Sequence, residues 1–180
     1  MRLFVAIPVP ENIRDDLVRV SSGVRGARWV RPEGMHITLF FCGETTRDQA
    51  RDLDQELSEI SIPQFDLKCD GFGYFERGTQ IKSIWAGIEG NTTLGYLHGR
   101  VESAAVKAGF EREARKYKPH ITLARLKQAR ATDVGQWIEQ HDTIATPPFT
   151  VDRFTLFRSH LAREGAMYEP LVDYELMDNQ

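Results

Sequence analysis

The chain has 180 residues, of which 41% are hydrophobic and 27% charged, and its formal net charge is −3. This size and composition predict one globular domain, residues 1–180, with a substantial core. The acidic balance excludes a protein that coats nucleic acid by charge alone, and no apolar run is long enough to predict a membrane-spanning helix.

The first predicted element is a strand at LFVAI, near the N-terminus. This apolar segment is short, lacks a small-residue cleavage site and runs into Pro8 and Pro10, so we interpret it as a strand rather than a signal peptide. Two cysteines, Cys42 and Cys69, are too few to indicate a disulfide framework or a zinc site. We therefore expect a reduced, cytoplasmic protein.

Helices are predicted wherever apolar residues recur three and four positions apart. The predicted ranges are 10–20, 46–60, 91–108 and, for a shorter helix, about 132–140. Thr46 and Gln49 fit a capping box at the start of the second helix, and Gly109 marks the end of the third.

The remaining elements are predicted strands. FDLKC (65–69) and IKSIWAGI (81–88) lie on either side of a Gly-rich turn and predict a β-hairpin. Two final strands are expected at about 149–157 and 167–176, on either side of a polar loop.

The tetrapeptide His-Ile-Thr-Leu occurs twice, at 36–39 and at 120–123. Side chains alternate along a strand, so His36 and Thr38 share one face while the aliphatic residues between them occupy the other. The same holds for His120 and Thr122. Each motif is preceded by a helix and followed by a loop, a helix and a strand pair. This order predicts a duplicated α+β unit with antiparallel sheets and outer helices around a central cleft.

Two facing motifs of this kind would present two imidazoles and two hydroxyls to one cavity. Imidazole is the side chain whose ordinary pKa suits proton transfer near pH 7, and one histidine can accept a proton while another donates one. Threonine hydroxyls can donate hydrogen bonds to phosphate oxygens. The set therefore predicts phosphodiester hydrolysis by general acid–base catalysis, without a metal or cofactor.

Other interpretations remain open at this point. A single His-x-Thr on a half-buried strand is usually structural, and two histidines could ligate zinc if a third ligand were supplied. Cys42 is better explained as a small buried thiol than as a nucleophile. The other three histidines have ordinary explanations: His98 in helix packing, His141 at a helix C-terminus and His160 in the late loop.

The charge along the chain is uneven. Residues 111–130 contain seven Lys or Arg and only two acidic residues, although the whole chain is acidic. A local basic patch suits a small anionic ligand or the end of a longer one, and a solvated loop is the alternative.

Taken together, these segments resemble the 2H phosphoesterase superfamily. The resemblance rests on WVRPEGMHITLFFCGE around the first motif and YKPHITLAR around the second. The resemblance is narrowed to the RNA 2',3'-cyclic phosphodiesterase, or 2'-5' RNA ligase (LigT-like), group by two further segments, RLFVAIPVP and FTLFRSHLAREGAMYEPL. The resemblance covers nearly the whole chain.

The resemblance implies two pseudo-symmetric α+β lobes around a cleft and a metal-free reaction that opens an RNA-terminal 2',3'-cyclic phosphate to a 2'-phosphomonoester. It also implies possible reverse joining of RNA ends through 2'-5' linkages. On this chain His36 would be the proton donor and His120 the proton acceptor, with Thr38 and Thr122 on the phosphate. The pH dependence alone would not distinguish the two histidines, so their roles rest on the resemblance.

Five further residues are candidates for substrate binding. Phe40 shares the strand parity of His36 and could stack on a base or belong to the core. Arg125 resembles a family position near the substrate, but regular alternation puts it on the Ile121 face unless the strand bends. Phe4 is a second stacking candidate, and Lys118 or Tyr117 could guide the RNA end.

Two other functions fit the same residues. The chain could act on a small cyclic nucleotide or a 2'-5' oligonucleotide, or it could bind terminal phosphates without turnover. The partner we expect is the 3' end of an RNA or a small nucleotide, and the chain is expected to act as a monomer.

Overall fold

A computed structural model describes all residues from Met1 to Gln180. The four helices are α1 (Glu11–Val20), α2 (Arg47–Ser58), α3 (Thr92–Lys107) and α4 (Ala131–His141). The ten strands are β1 (Arg2–Pro8), β2 (Ala27–Trp29), β3 (His36–Glu44), β4 (Phe65–Leu67), β5 (Cys69–Arg77), β6 (Gln80–Ile88), β7 (His120–Leu126), β8 (Phe149–Val151), β9 (Arg153–Ala162) and β10 (Gly165–Glu175). No helix is both long enough and apolar enough to cross a membrane.

Eight strands form one antiparallel sheet in the order β10-β9-β1-β3-β7-β6-β5, with β2 paired to β7. β4 and β8 form a separate two-stranded sheet. In the middle of the large sheet β3 and β7 pair only at Ile37 and Ile121. The sheet is therefore two four-stranded halves joined at one point, and each half contributes one HITL strand to the junction.

The chain order shows an internal duplication. The series β1-α1-β3-α2-β4-β5 is followed by the matching series β6-α3-β7-α4-β8-β9. The last strand of each series pairs with the first strand of the other, because β5 pairs with β6 and β9 pairs with β1. The two-lobed, duplicated α+β fold predicted from the sequence is confirmed.

The hydrophobic core lies between the helices and one face of the sheet. It contains Ile37 and Ile121, together with apolar residues of every helix such as Leu17 and Leu53. Phe4 and Trp85 are also buried, yet they do not belong to this core cluster. They lie on the other face, the one that carries the polar half of each motif.

Local sequence signals set the start of α2 and the end of α3 as predicted. Thr46 and Gln49 form the capping box of α2. The Asn91 side chain, which was not predicted as a cap, accepts a hydrogen bond at the start of α3. Gly109 follows α3 with φ +90°, a conformation that favours glycine.

Four strand predictions were wrong in detail. The single strand predicted at about 149–157 is two strands, β8 and β9, which belong to different sheets. Phe65–Leu67 does not enter the predicted hairpin, since it pairs with Phe149–Val151 in the small sheet. The hairpin partner of β6 is instead the Gly-rich segment Cys69–Arg77, which was predicted as a turn. The expected polar loop after residue 157 is mostly strand, because β9 and β10 continue to Ala162 and Gly165.

Candidate active site

Both motifs form strands with the predicted division of faces. His36 and Thr38 are half-buried while Ile37 is fully buried, and His120 and Thr122 repeat this pattern around Ile121. Because the two strands run antiparallel through the Ile37–Ile121 pair, the register directs His36 toward Thr122 and Thr38 toward His120. The two imidazoles and two hydroxyls thus surround one point on the open face of the sheet.

The ring orientation of His120 is fixed by its own backbone. Its Nδ1 lies 2.7 Å from the carbonyl oxygen of Lys118, two residues earlier. A carbonyl can only accept, so Nδ1 carries the proton and Nε2 is left to exchange protons with a ligand. At His36 the backbone of Gly34, again two residues earlier, raises the pKa of the imidazole.

Aromatic rings enclose both histidines. The His36 ring lies 4.8 Å from the ring of Phe4, 5.1 Å from Tyr168 and 6.1 Å from Phe157. The His120 ring lies 4.9 Å from Phe75 and 5.9 Å from Trp85.

Strand exchange between the repeats builds these enclosures. Phe157 comes from β9 of the second repeat and contacts the histidine of the first, while Phe75 comes from β5 of the first repeat and contacts the histidine of the second. Neither histidine is therefore held by its own repeat alone.

This environment lowers the pKa of both histidines. Burial is the largest cause, and it lowers the pKa of His36 from 6.5 to about 4 despite the opposing hydrogen bond to Gly34. Burial likewise lowers the pKa of His120. The positive charge of Arg125 lowers both pKa values further.

A β-bulge in each motif strand changes the faces that regular alternation predicts. Two successive residues of β1 pair with Thr38 and Phe40, so β3 contains one extra residue between them. Two successive residues of β6 likewise pair with Thr122 and Ala124, so β7 contains an extra residue at the same place in its motif. An extra residue shifts every later side chain to the opposite face. The strand bend that Arg125 needs is therefore present, and Arg125 is exposed on the face of His120.

The bulge also turns Phe40 away from the site. Its side chain is 6% exposed and packs in the core at 6.3 Å from the Phe110 ring, so the core is the correct one of its two predicted places and the stacking role is not. Phe41 takes that position instead: it is 58% exposed and pairs with Phe4 on the site face.

The remaining candidates have different surroundings. Phe4 is 2% exposed and stacked on Phe157, so it supports His36 and is not available to a base. The Tyr117 hydroxyl donates to the carbonyl of Thr38 (2.9 Å) and its ring stacks on His98, which gives it a structural role rather than the predicted one. Lys118 places its ammonium 4.7 Å from the Trp85 ring, beside His120.

The other histidines and the cysteines lie outside this site. His98 packs against Tyr117 and His141 ends α4, as predicted. His160 lies in strand β9, not in a loop, and contacts Glu169. Burial raises the pKa of the Cys42 thiol to about 12, as expected for an unreactive cysteine. No group of three or more His, Cys, Asp or Glu side chains is arranged to hold a metal ion.

Five site-face residues were not predicted from the sequence: Phe41, Phe75, Trp85, Phe157 and Tyr168. Phe157 and Tyr168 lie within FTLFRSHLAREGAMYEPL, so this segment carried a signal for them. Phe75 and Trp85 lie on the β5–β6 hairpin, where nothing in the residue pattern points to His120.

The fold and the paired motifs define a 2H phosphoesterase. The family model described as LigT like Phosphoesterase matches the chain twice, at residues 7–85 and 89–168, so that each match contains one of the two HITL motifs. The chain belongs to this LigT-like family of enzymes.

Curated relatives cover almost the whole chain. An RNA 2',3'-cyclic phosphodiesterase of Archaeoglobus fulgidus is 30% identical over 97% of this chain and 100% of its own length. One of Thermotoga maritima is 32% identical over 96% of this chain and 94% of its own length.

Solved structures agree with this assignment. E. coli LigT in apo form has a TM-score of 0.81 at 27% identity, covering 97% of this chain and 96% of that chain. E. coli LigT complexed with 3'-AMP has a TM-score of 0.79 at 28% identity, covering 97% of each chain.

Proposed function

We propose that this protein hydrolyses RNA-terminal 2',3'-cyclic phosphates to 2'-phosphomonoesters by metal-independent acid–base catalysis. The observation that carries the proposal is the arrangement of two His-x-Thr pairs around the single junction between β3 and β7. The activity named for the relatives and the nucleotide bound by E. coli LigT support the choice of substrate.

In the proposed reaction, water adds to phosphorus as the bond from phosphorus to the ribose 3' oxygen breaks. Nε2 of His120 accepts a proton from the water, and protonated Nε2 of His36 donates a proton to the departing oxygen. The products are a 2'-phosphate and a free 3' hydroxyl. The two histidines finish with exchanged protonation states and are reset by solvent.

The surroundings of the phosphate complete the mechanism. Thr38 and Thr122 donate to its non-bridging oxygens, and the Arg125 guanidinium stabilises the negative charge that accumulates there. In the free protein the lowered pKa values leave both imidazoles neutral at pH 7. The bound phosphodiester anion favours protonation of one of them, so substrate binding helps to create the acid.

The test is hydrolysis of a short RNA ending in a 2',3'-cyclic phosphate, in EDTA, with the position of the product phosphate resolved. His36→Ala and His120→Ala should each lower kcat by roughly 10²- to 10⁴-fold. His160→Ala removes an exposed histidine outside the site and is the matched control. Full activity in either motif variant, or loss of activity in EDTA, would contradict the proposal.

Product analysis also distinguishes the alternatives. A 3'-phosphate product would retain the two-histidine chemistry with the opposite leaving oxygen. Faster turnover of a small cyclic nucleotide or a 2'-5' oligonucleotide than of RNA ends would change the substrate class. Tight product binding without turnover would indicate a phosphate-binding module.

The same geometry would allow ligation. If the 5' hydroxyl of a second RNA took the place of water, His120 would accept its proton and a 2'-5' linkage would form as the 3' oxygen leaves. Incubation of the cyclic-phosphate RNA with an excess of a 5'-hydroxyl RNA tests this, because a longer product should appear in which only the new linkage resists 3'-5'-specific cleavage.

A further inference from the structure

Two arginines lie directly opposite each other on the open face of the sheet. Arg28 of β2 pairs with Arg125 of β7, so both side chains leave the sheet on the same side. Both are exposed. Like charges placed directly opposite destabilise a strand pair, so a bound anion would stabilise this arrangement.

The protein itself supplies no such anion. Neither Arg28 nor Arg125 has a carboxylate within ion-pair distance, whereas Arg31 pairs with Glu164 at 3.1 Å. Glu164 is next to Gly165, where the Arg28 guanidinium lies 3.2 Å from the position that a Cβ would occupy. The one acidic side chain beside Arg28 in the β9–β10 turn is therefore already engaged by another arginine.

The two arginines extend the row of site-face residues that begins with the second motif on β7. Along β7 the site-face residues are His120, Thr122 and, after the bulge, Arg125. β2 follows the same edge of β7 that β3 meets at Ile121, but farther along, and it places Arg28 beside Arg125. Positive charge thus extends from the phosphate position at the motifs toward the β9–β10 turn.

The arrangement suits a ligand with two anionic groups. The first would be the cyclic phosphate between the histidines. In a nucleotide strand the next anion is the phosphodiester on the 5' side of the same ribose, one sugar away. Guanidinium groups bind phosphate oxygens through paired, charge-assisted hydrogen bonds, which makes arginine well suited to that second group.

We propose that Arg28, beside Arg125, forms a second anion subsite that binds the 5'-side phosphate of the terminal nucleotide. This inference rests on the proposed function. It makes the preferred substrate an RNA end or a nucleotide carrying a 5'-phosphate, rather than a nucleoside cyclic phosphate.

The test compares two substrates in the full chain. Adenosine 2',3'-cyclic phosphate has no 5'-phosphate, and the diadenosine dinucleotide ending in a 2',3'-cyclic phosphate has one internal phosphodiester. Arg28→Gln should lower kcat/KM for the dinucleotide by roughly 10- to 100-fold and change that for the mononucleoside by less than about twofold. Arg51→Gln, on the helical side, is the matched control and should change neither.

A binding measurement separates this inference from the proposed function. By calorimetry, the wild type should bind adenosine 3',5'-bisphosphate more tightly than 3'-AMP, and Arg28→Gln should remove that difference. This arm needs no turnover, so it still decides the role of Arg28 if the wild type opens neither cyclic phosphate. Equal losses on both substrates, or no loss on either, would overturn the subsite.

Discussion

Ile37 of β3 pairs with Ile121 of β7, and at this position alone the two halves of the sheet meet. Both side chains are fully buried in the core, so their neighbours along each strand must face the opposite side. Those neighbours are the histidine and the threonine of each motif. A single hydrophobic pair therefore determines that four polar groups from distant parts of the chain face one another.

The first prediction concerns the pH dependence of catalysis. The reaction needs one protonated and one neutral histidine, a form that is most abundant between the two pKa values. Since burial lowers both below 6.5, kcat/KM should be maximal below pH 6.5. The bound anion raises both pKa values, so the optimum of kcat should lie at higher pH. Rate profiles of both parameters check this, and a kcat/KM optimum above that of kcat would contradict it.

The second prediction isolates Arg125. Its positive charge lowers the pKa of both histidines, so Arg125→Gln should move both limbs of the kcat/KM profile to higher pH. The maximum rate should also fall by about 10-fold or more, because a charge that stabilises the transition state is lost. Lys127→Gln, two residues farther along the chain, is the control. A lower rate with an unmoved profile would place Arg125 outside electrostatic range of the imidazoles.

The third prediction concerns the exposed ring of Phe41. We expect it to stack on the terminal base, so Phe41→Ala should lower kcat/KM on adenosine substrates by about 10- to 100-fold, with most of the effect in KM. Tyr96 is equally exposed, at 58%, but lies on α3. Tyr96→Ala should leave the kinetics unchanged, and equal effects of the two substitutions would refute the stacking role.

The fourth prediction links His36 to stability. Native His36 stays neutral down to a pH of about 4, whereas in the unfolded chain its pKa is near 6.5. Between these values the unfolded state binds the additional proton, so the free energy of unfolding should rise with pH through this window and fall on acidification. Urea unfolding across this range should show a weaker pH dependence in His36→Gln. An unchanged slope would mean that His36 is protonated in the native state.

The fifth prediction uses two glycines. A Cβ at Gly87, which pairs with His120, would lie 2.3 Å from the backbone carbonyl oxygen of Asp70. The backbone of Asp70 cannot shift without a large loss of stability, so Gly87→Ala should lower the free energy of unfolding by more than about 2 kcal/mol. Gly95 lies in α3 with nothing within 4 Å of its Cβ position.

The Gly95→Ala substitution is the matched control for this comparison. It should raise the free energy of unfolding by about 0.5–1 kcal/mol, because alanine favours the helix. Both values come from urea denaturation, and equal stabilities of the two variants would contradict the close approach at Gly87.

The sequence was informative wherever a local pattern decides the structure. The helices, their caps and the face pattern of His36-Thr38 and His120-Thr122 all follow from periodicity or from contacts within a few residues. The pairing of β4 could not be predicted in this way, because the partner of Phe65–Leu67 is Phe149–Val151, more than eighty residues away.

Beside the two motifs, the prediction of the site failed where a β-bulge interrupts the strand. Regular alternation holds from His36 to Thr38 and fails one residue later, because a bulge adds a residue that no local signal announces. Phe40 was therefore placed on the wrong face, and Phe41 was overlooked. The same irregularity in the second motif brings Arg125 to the site.

The exchange of β5 and β9 between the repeats has a consequence for synthesis on the ribosome. One edge of β1 is completed only by β9, and the Phe157 and Tyr168 rings that enclose His36 come from β9 and β10. A nascent chain that has just finished the first repeat therefore exposes an unpaired strand and lacks two of the three rings that enclose its first histidine. Productive assembly must wait until nearly the whole polypeptide has emerged, which makes the folding of this small enzyme a late, all-or-none event.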